Sequence, residues 1–258
     1  MPGFSAVDDS ADPDRLARYL DSAALAQSGI KAYMVAAHAL KSPVGPILDL
    51  GCGAGHDLDL LTRAGLTAVG IDPSETLVNV AAQRLGPDLK ARLMRGSGEA
   101  LPYRDEVFSG VRIERVLQHV AEPAVVVSEA VRVLRPDGLL TIFEPDWSRM
   151  RWRTDDGECD GSWLTGVANP SIGGQLWEMV EETGCRVLDR VEELSVWKSL
   201  AVIDRVLGPG AMERAVSAGR IGADEAGRWL GEQRRREAKG QFFGMVPKIL
   251  VVAEKPQR

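Results

Sequence analysis

Three glycines at alternate positions, Gly51, Gly53 and Gly55, stand in "PILDLGCGAGHDLDLLTRAG" between a short apolar run and a helical pattern. Asp49 lies just before them, and a second carboxylate, Asp72, closes the next apolar run, "TAVGID". Glycines at such a junction make a loop whose inner wall is backbone, so a flat ligand can lie against its amides. A nicotinamide dinucleotide loop needs a small residue three places after the second glycine, where helix and strand pack closely. That place holds His56, which argues against a diphosphate lying across the helix start. The acidic residue about twenty positions on is present as Asp72, where a carboxylate accepts bonds from ribose hydroxyls. A nucleoside without a bridging diphosphate satisfies both features. Adenosine carrying an amino-acid tail, S-adenosyl-L-methionine, is such a ligand.

A second group of residues could do acid–base work beside that ligand. His119 in "VLQHV" and Glu144 and Asp146 in "FEPDW" follow apolar runs that read as strands, and a parallel sheet presents such positions at its ligand cleft. His119 and Asp146 are the catalytic candidates. The alternatives are a histidine that pins its loop and an aspartate that caps a turn. His38 lies on a helical pattern and reads as packing or surface, Cys52 as a small apolar filler.

The elements that must position these groups alternate. Helical patterns cover residues 12–42, followed by the strand "PILDLG", the helix "HDLDLLTRAG", the strand "TAVGID" and the helix "SETLVNVAAQRLG" with Ser74 as its cap. "LKARLMRG" and "VFSGVRIERV" read as the third and fourth strands, "EPAVVVSEAVRVLRPDG" as a helix ending in a turn, and "LLTIFEP" as the fifth strand. This rhythm predicts an α/β fold with a Rossmann-like parallel sheet and helices on both faces. Residues 147–170 show no clear element. The stretch from Asp146 to Pro170, with Trp147, Trp152 and Trp163, therefore reads as a substrate lid. A helix ("SIGGQLWEMVEETG"), a strand ("CRVLDRVEELSVW"), a helical insertion over about 199–239 and a closing strand or hairpin follow.

Composition narrows the function further. A formal net charge of −6 disfavours a nucleic-acid partner, and "RRR" at 234–236 reads as a solvated helix face. No apolar run reaches the eighteen or so residues of a membrane span, and the acidic start is no signal peptide. The expectation is a cytoplasmic protein, monomer or homodimer, without a membrane or nucleic-acid partner. Three scattered cysteines and three distant histidines form neither a disulfide framework nor a metal set, so no metal is expected. All six tryptophans come after residue 146, which points to a hydrophobic or aromatic small molecule on that side.

Taken together, "ILDLGCGAG", "GID", "GEALPYRDEVFSGVRIERVLQHV" and "RVLRPDGLLTIFEPDW" resemble a class I SAM-dependent methyltransferase of the small-molecule, ubiquinone-biosynthesis-like branch. The resemblance covers roughly residues 44–148, with an echo in "KILVVAEKP". It implies a seven-stranded, mostly parallel sheet whose last strand is antiparallel, inserted beside the fifth. It also implies one domain over 1–258. Residues 1–43 would be an N-terminal helical cap, 44–145 the SAM-binding half, and 146–258 the substrate side with the helical insertion. Gly51, Gly53 and Gly55 would line the methionine moiety, with Asp49 at its amino end. Asp72 and Pro73 would serve the ribose, Ser97, Gly98 and Glu99 the adenine, and Arg115 with Val116 would close over the methionine part. Relatives usually carry an acid at the position of Ser97, so Glu99 could substitute. The activity implied is in-line methyl transfer to a small, hydrophobic or aromatic acceptor. The rival readings are a SAM-binding scaffold or regulator without catalysis, and an NAD-dependent oxidoreductase.

Overall fold

The computed structural model describes residues 28–41, 44–87, 92–208 and 210–257. Much of the expected N-terminal cap therefore lies outside the described residues. Within them the chain alternates as its periodicity requires. α1 (Ser28–Lys41) leads to β1 (Ile47–Leu50), α2 (His56–Arg63), β2 (Ala68–Asp72) and α3 (Glu75–Arg84). β3 (Leu93–Arg95), β4 (Phe108–Glu114), α4 (Pro123–Val133) and β5 (Leu134–Pro145) complete this half.

After β5 come β6 (Arg151–Thr154), β7 (Gly157–Asp160), α5 (Ile172–Glu181) and β8 (Arg186–Trp197). The helices α6 (Val202–Val206), α7 (Ala211–Ser217) and α8 (Ala223–Ala238) and the strand β9 (Gly244–Glu254) end the chain. Short 3-10 turns at Trp147–Arg149 and Ser162–Leu164 flank the β6–β7 hairpin.

Among the described residues nine strands form one sheet. β3, β2, β1, β4 and β5 lie side by side and parallel, and β9 runs antiparallel between β5 and β8. The antiparallel last strand thus sits beside the fifth, as expected, but the sheet is larger than the seven strands expected. The addition is the β6–β7 hairpin, which pairs with the start of β9 through Arg151 opposite Met245 and Trp152 opposite Gly244. Its strands have four residues each, too short for alternation to show in the sequence.

The lid expectation fails at the same place. Trp147 and Trp152 are 5% and 0% exposed. Trp152 packs at 5.3, 5.6 and 5.7 Å between ring centroids against Trp197, Trp229 and Phe242. Two glycines make its slot, since a Cβ on Gly161 or Gly244 would fall 2.3 or 2.2 Å from the indole. Trp177, by contrast, is half-buried on α5, outside this cluster. The closing segment is a single strand, not a hairpin.

Register decides which side chains each face receives. Leu48, Leu50, Val111, Ile113, Leu140 and Ile142 meet α4 and α5 on one face. The opposite face packs Leu139, Phe143, Leu250 and Val252 on Ile30 and Met34 of α1, and Ile47 and Ala68 on Leu58, Leu61 and Ala81 of α2 and α3.

Candidate active site

The candidate site lies at the carboxyl ends of the parallel strands, where open parallel sheets bind ligands, and it centres on the turn from β1 to α2. All three glycines there have positive φ, at 76°, 51° and 80°, a region costly to side chains. Their surroundings differ, which explains the spacing. A Cβ on Gly51 would come 2.3 Å from Val116, and one on Gly55 3.0 Å from Ala81 and Leu85, whereas Gly53 has no protein atom within 4 Å of that position. Gly51 lets the turn after β4 close down, Gly55 lets α3 pack, and Gly53 opens onto free space. His56 enters α2 and meets Arg84.

Asp72, 3% exposed, holds the loop from the next strand. Its Oδ2 accepts the Gly53 N–H at 2.9 Å and its Oδ1 the Ser74 N–H at 2.9 Å, while Ser74 Oγ caps α3 by accepting the Leu77 N–H at 3.1 Å. The sequence suggested a ligand group at a cleft; the structure gives Asp72 a structural task as well. Pro73 follows, its carbonyl accepting from Arg95 Nε at 3.2 Å.

At the turn after β3, Ser97 Oγ accepts the Glu99 N–H at 3.2 Å and lies 3.4 Å from Glu99 Oε2. Gly98 presses this turn onto β1, since a Cβ there would be 2.9 Å from Leu50. Ser97 and the Glu99 carboxylate therefore share one edge of the cleft.

Asp49 is 2% exposed, with Oδ1 accepting from Arg112 at 2.9 Å and Oδ2 without a partner. Burial pushes its carboxyl up to about 6, with Arg112 pulling the other way. It belongs to a buried charge network that the sequence did not reveal. Arg112, opposite Asp49 in the β1–β4 register, also pairs with Asp57 and Glu114, and Lys31 of α1 bonds Asp57 at 2.7 Å and Glu114 at 2.8 Å. Burial would raise Asp57, but Arg112 and Lys31 outweigh it and hold that carboxyl below its usual range. One signal was available: Arg112 and Glu114 are charges at alternate positions of a strand otherwise buried on both faces.

The turn after β4 forms the remaining wall. Arg115 has φ 55°, a strain of about 1–2 kcal/mol for a residue with a Cβ, and its N–H bonds Phe143 O at 2.9 Å. Its Nε is 3.5 Å from Glu114. The N–H groups of Val116 and Leu117 both donate to Glu144 Oε1, at 2.7 and 2.6 Å. Glu144 is fully buried, its Oε2 has no partner, and burial raises its carboxyl to about 8 against the pull of the Leu117 and Val116 N–H bonds.

Gln118 Oε1 accepts from Trp147 Nε1 at 2.6 Å, and Asn169 Nδ2 bonds the Leu117 and Val120 carbonyls at 2.8 Å each. His119 is half-buried on this wall, and burial, then Arg115, lowers its imidazole to about 4. It is neutral near pH 7. Asp146, 3% exposed, instead faces α5: its Oδ1 accepts from Ser148 Oγ at 2.5 Å, and a Cβ on Gly174 would lie 3.0 Å from its Oδ2. His38 is buried against Thr141 at 3.0 Å and lowered to about 3 by burial.

The strand order, the glycine turn after β1 and the carboxylate ending β2 define a Rossmann-like methyltransferase fold. The profile of a family described as a methyltransferase domain matches residues 48–142. An uncharacterized 37.1 kDa protein in a transposon of Streptomyces fradiae is 36% identical over 96% of this chain and 73% of its own length. The demethylmenaquinone methyltransferase of Clavibacter sepedonicus is 35% identical over 38% of this chain and 40% of that enzyme. Among solved structures, the YcgJ protein of Bacillus subtilis superposes with a TM-score of 0.60 at 18% identity, over 88% of this chain and 98% of that one. This chain belongs to the SAM-dependent methyltransferases. The chain spans about two fifths of the length of that demethylmenaquinone methyltransferase.

The residues present fit S-adenosylmethionine. Asp49 offers a buried acceptor without a partner to an ammonium group, Gly53 leaves open space against bare backbone, and Asp72 sets a carboxylate at the end of β2 beside that loop. No helix among the described residues is long and apolar enough to cross a membrane.

Proposed function

We propose that the protein methylates a small, hydrophobic or aromatic molecule by in-line displacement. Residues 44–145 hold the cofactor and residues 146–258 serve the acceptor side. In this reading Asp49 and the three glycines hold the methionine end, Asp72 and Pro73 the ribose, Ser97 to Glu99 the adenine edge, and Arg115 closes the site. When bound, the cofactor supplies a methyl group already activated on a sulfonium. The protein's task is then to bring the acceptor within roughly 3–3.5 Å in line.

The observation that carries this reading is the wall between the two halves. His119 stands on a turn that is fastened by Gln118 to Trp147, the first residue of the aromatic cluster. An acceptor ring resting on that side would place its hydroxyl or amine near a neutral imidazole. At about 4, His119 is a weak base, suited to accepting a hydrogen bond and orienting the group more than to removing its proton before transfer. Asp146, packed on α5, we assign to positioning the end of β5.

Calorimetry with S-adenosylmethionine, S-adenosylhomocysteine and NAD, followed by mass spectrometry of small phenols and aromatic amines incubated with cofactor, tests this. A methylated aromatic product is expected from the native protein. Cofactor binding with turnover only of a charged, non-aromatic acceptor would overturn the acceptor class.

A further inference from the structure

The turn that closes the cofactor site is tied from three sides. Asn169 binds the Leu117 and Val120 carbonyls, and Gln118 binds Trp147. The third tie is Glu144, one oxygen of which takes both the Val116 and Leu117 N–H groups at 2.7 and 2.6 Å. These amides directly follow Arg115, whose left-handed backbone persists only where its surroundings over-determine it. Val116 in turn lies against Gly51, with no room for a Cβ between them. A chain of contacts therefore runs from β5 through Glu144 and Val116 to the first glycine of the loop.

We infer that Glu144 is a positioning residue: an interior hydrogen-bond acceptor that holds the Arg115–Leu117 turn down on Gly51 and so shapes the methionine end of the cofactor site. Three features separate this from a proton-transfer role. Glu144 is fully buried and points its bonded oxygen at backbone amides. Its other oxygen meets no polar partner. The sheet register pairs it with Ile249 and turns it toward the α4–α5 face. A neutral carboxyl does this work as well as a charged one, because Oε1 accepts as a carbonyl, and a raised titration range agrees with that.

The effect on cofactor affinity rests on the SAM reading above; the brace itself does not. Two measurements on the full chain keep them apart. Hydrogen exchange should find the Val116 and Leu117 amides protected in the native protein and in Glu144→Gln, and fast in Glu144→Ala. Calorimetry with S-adenosylhomocysteine, well below each melting temperature, should show Glu144→Gln within about threefold of native and Glu144→Ala weaker by about tenfold or more. Ser109→Ala, which removes the hydroxyl bond to the Pro46 carbonyl at the far end of β4, should lose stability and keep its affinity.

Protection of both amides in Glu144→Ala would overturn the brace. So would unchanged affinity in Glu144→Ala, or a loss in Glu144→Gln as large as in Glu144→Ala. If no protein, native included, bound S-adenosylhomocysteine, the cofactor reading would fall while the exchange result still decided the brace.

Discussion

Around the glycine loop the sheet is held by charge and backbone; around Trp152 it is held by rings. Arg112, Lys31, Asp49, Asp57 and Glu114 form a nearly solvent-free network beside the glycine loop. The β6–β9 end packs Trp152 against Trp197, Trp229 and Phe242. The charged region pays for desolvation with directional bonds that fix individual carboxylates. The aromatic region gains from area and shape and leaves two indole nitrogens, on Trp152 and Trp229, without an oxygen or nitrogen partner. Directional bonds are concentrated around the glycine loop, and bulk where the sheet is extended.

The largest test sets the two regions against each other. Trp152→Ala should cost about 3–5 kcal/mol through lost area and a cavity. Arg112→Leu should cost about as much near pH 7 by leaving three carboxylates without their shared cation. Denaturant titrations at pH 7 and pH 4 distinguish the causes. The Arg112→Leu deficit should shrink in acid, where the stranded carboxylates can take up protons, while the Trp152→Ala deficit should stay. Equal pH behaviour would erase the distinction between the regions.

Asp72→Ala should weaken S-adenosylhomocysteine binding by about 1.5–3 kcal/mol. It should also lower the stability of the free protein, because the Gly53 and Ser74 N–H groups lose their acceptor. Calorimetry and thermal unfolding of the same variant read both effects. Loss of affinity alone would show that the loop holds itself.

A pH titration sharpens the charged side. The Glu144 carboxyl is raised from 4.5 to about 8 in the folded chain, so its contribution is fully present in acid and is lost as pH rises through the folded value. Between those limits the slope is up to about 1.4 kcal/mol per pH unit. Glu144→Gln removes it, and the stability of this variant relative to native should therefore rise from pH 5 to pH 8. A flat difference would mean that the native carboxylate ionises without penalty.

The smallest effect belongs to Gly53→Ala. With no atom within 4 Å of the new Cβ, the free protein should lose only about 1–2 kcal/mol of backbone preference. Cofactor affinity should fall by more than that, since the methyl group would occupy the ligand's space. Unchanged affinity, measured by calorimetry, would move the ligand away from this loop.

What was legible in the sequence was local. The glycine spacing, Asp72 at a strand end and the alternation of strands and helices follow from positive-φ positions and side-chain period, both properties of short windows. They were enough to anticipate the parallel sheet; the antiparallel last strand was implied only by the family resemblance. Residues 147–170 were misjudged because two four-residue strands carry too little pattern, and because nothing in a short window shows that Gly161 and Gly244 open a slot for Trp152. The charge network and the Glu144 brace were hidden for a related reason. Lys31 meets Asp57 across 26 positions and Glu114 across 83, and Glu144 reaches back 28 positions to Val116. Sequence alone determined which segments of the parallel half become strands and where its first loop must be glycine. Only the tertiary structure decided which buried charges meet and which acid holds the closing turn, because those contacts exist only once the sheet's register is set.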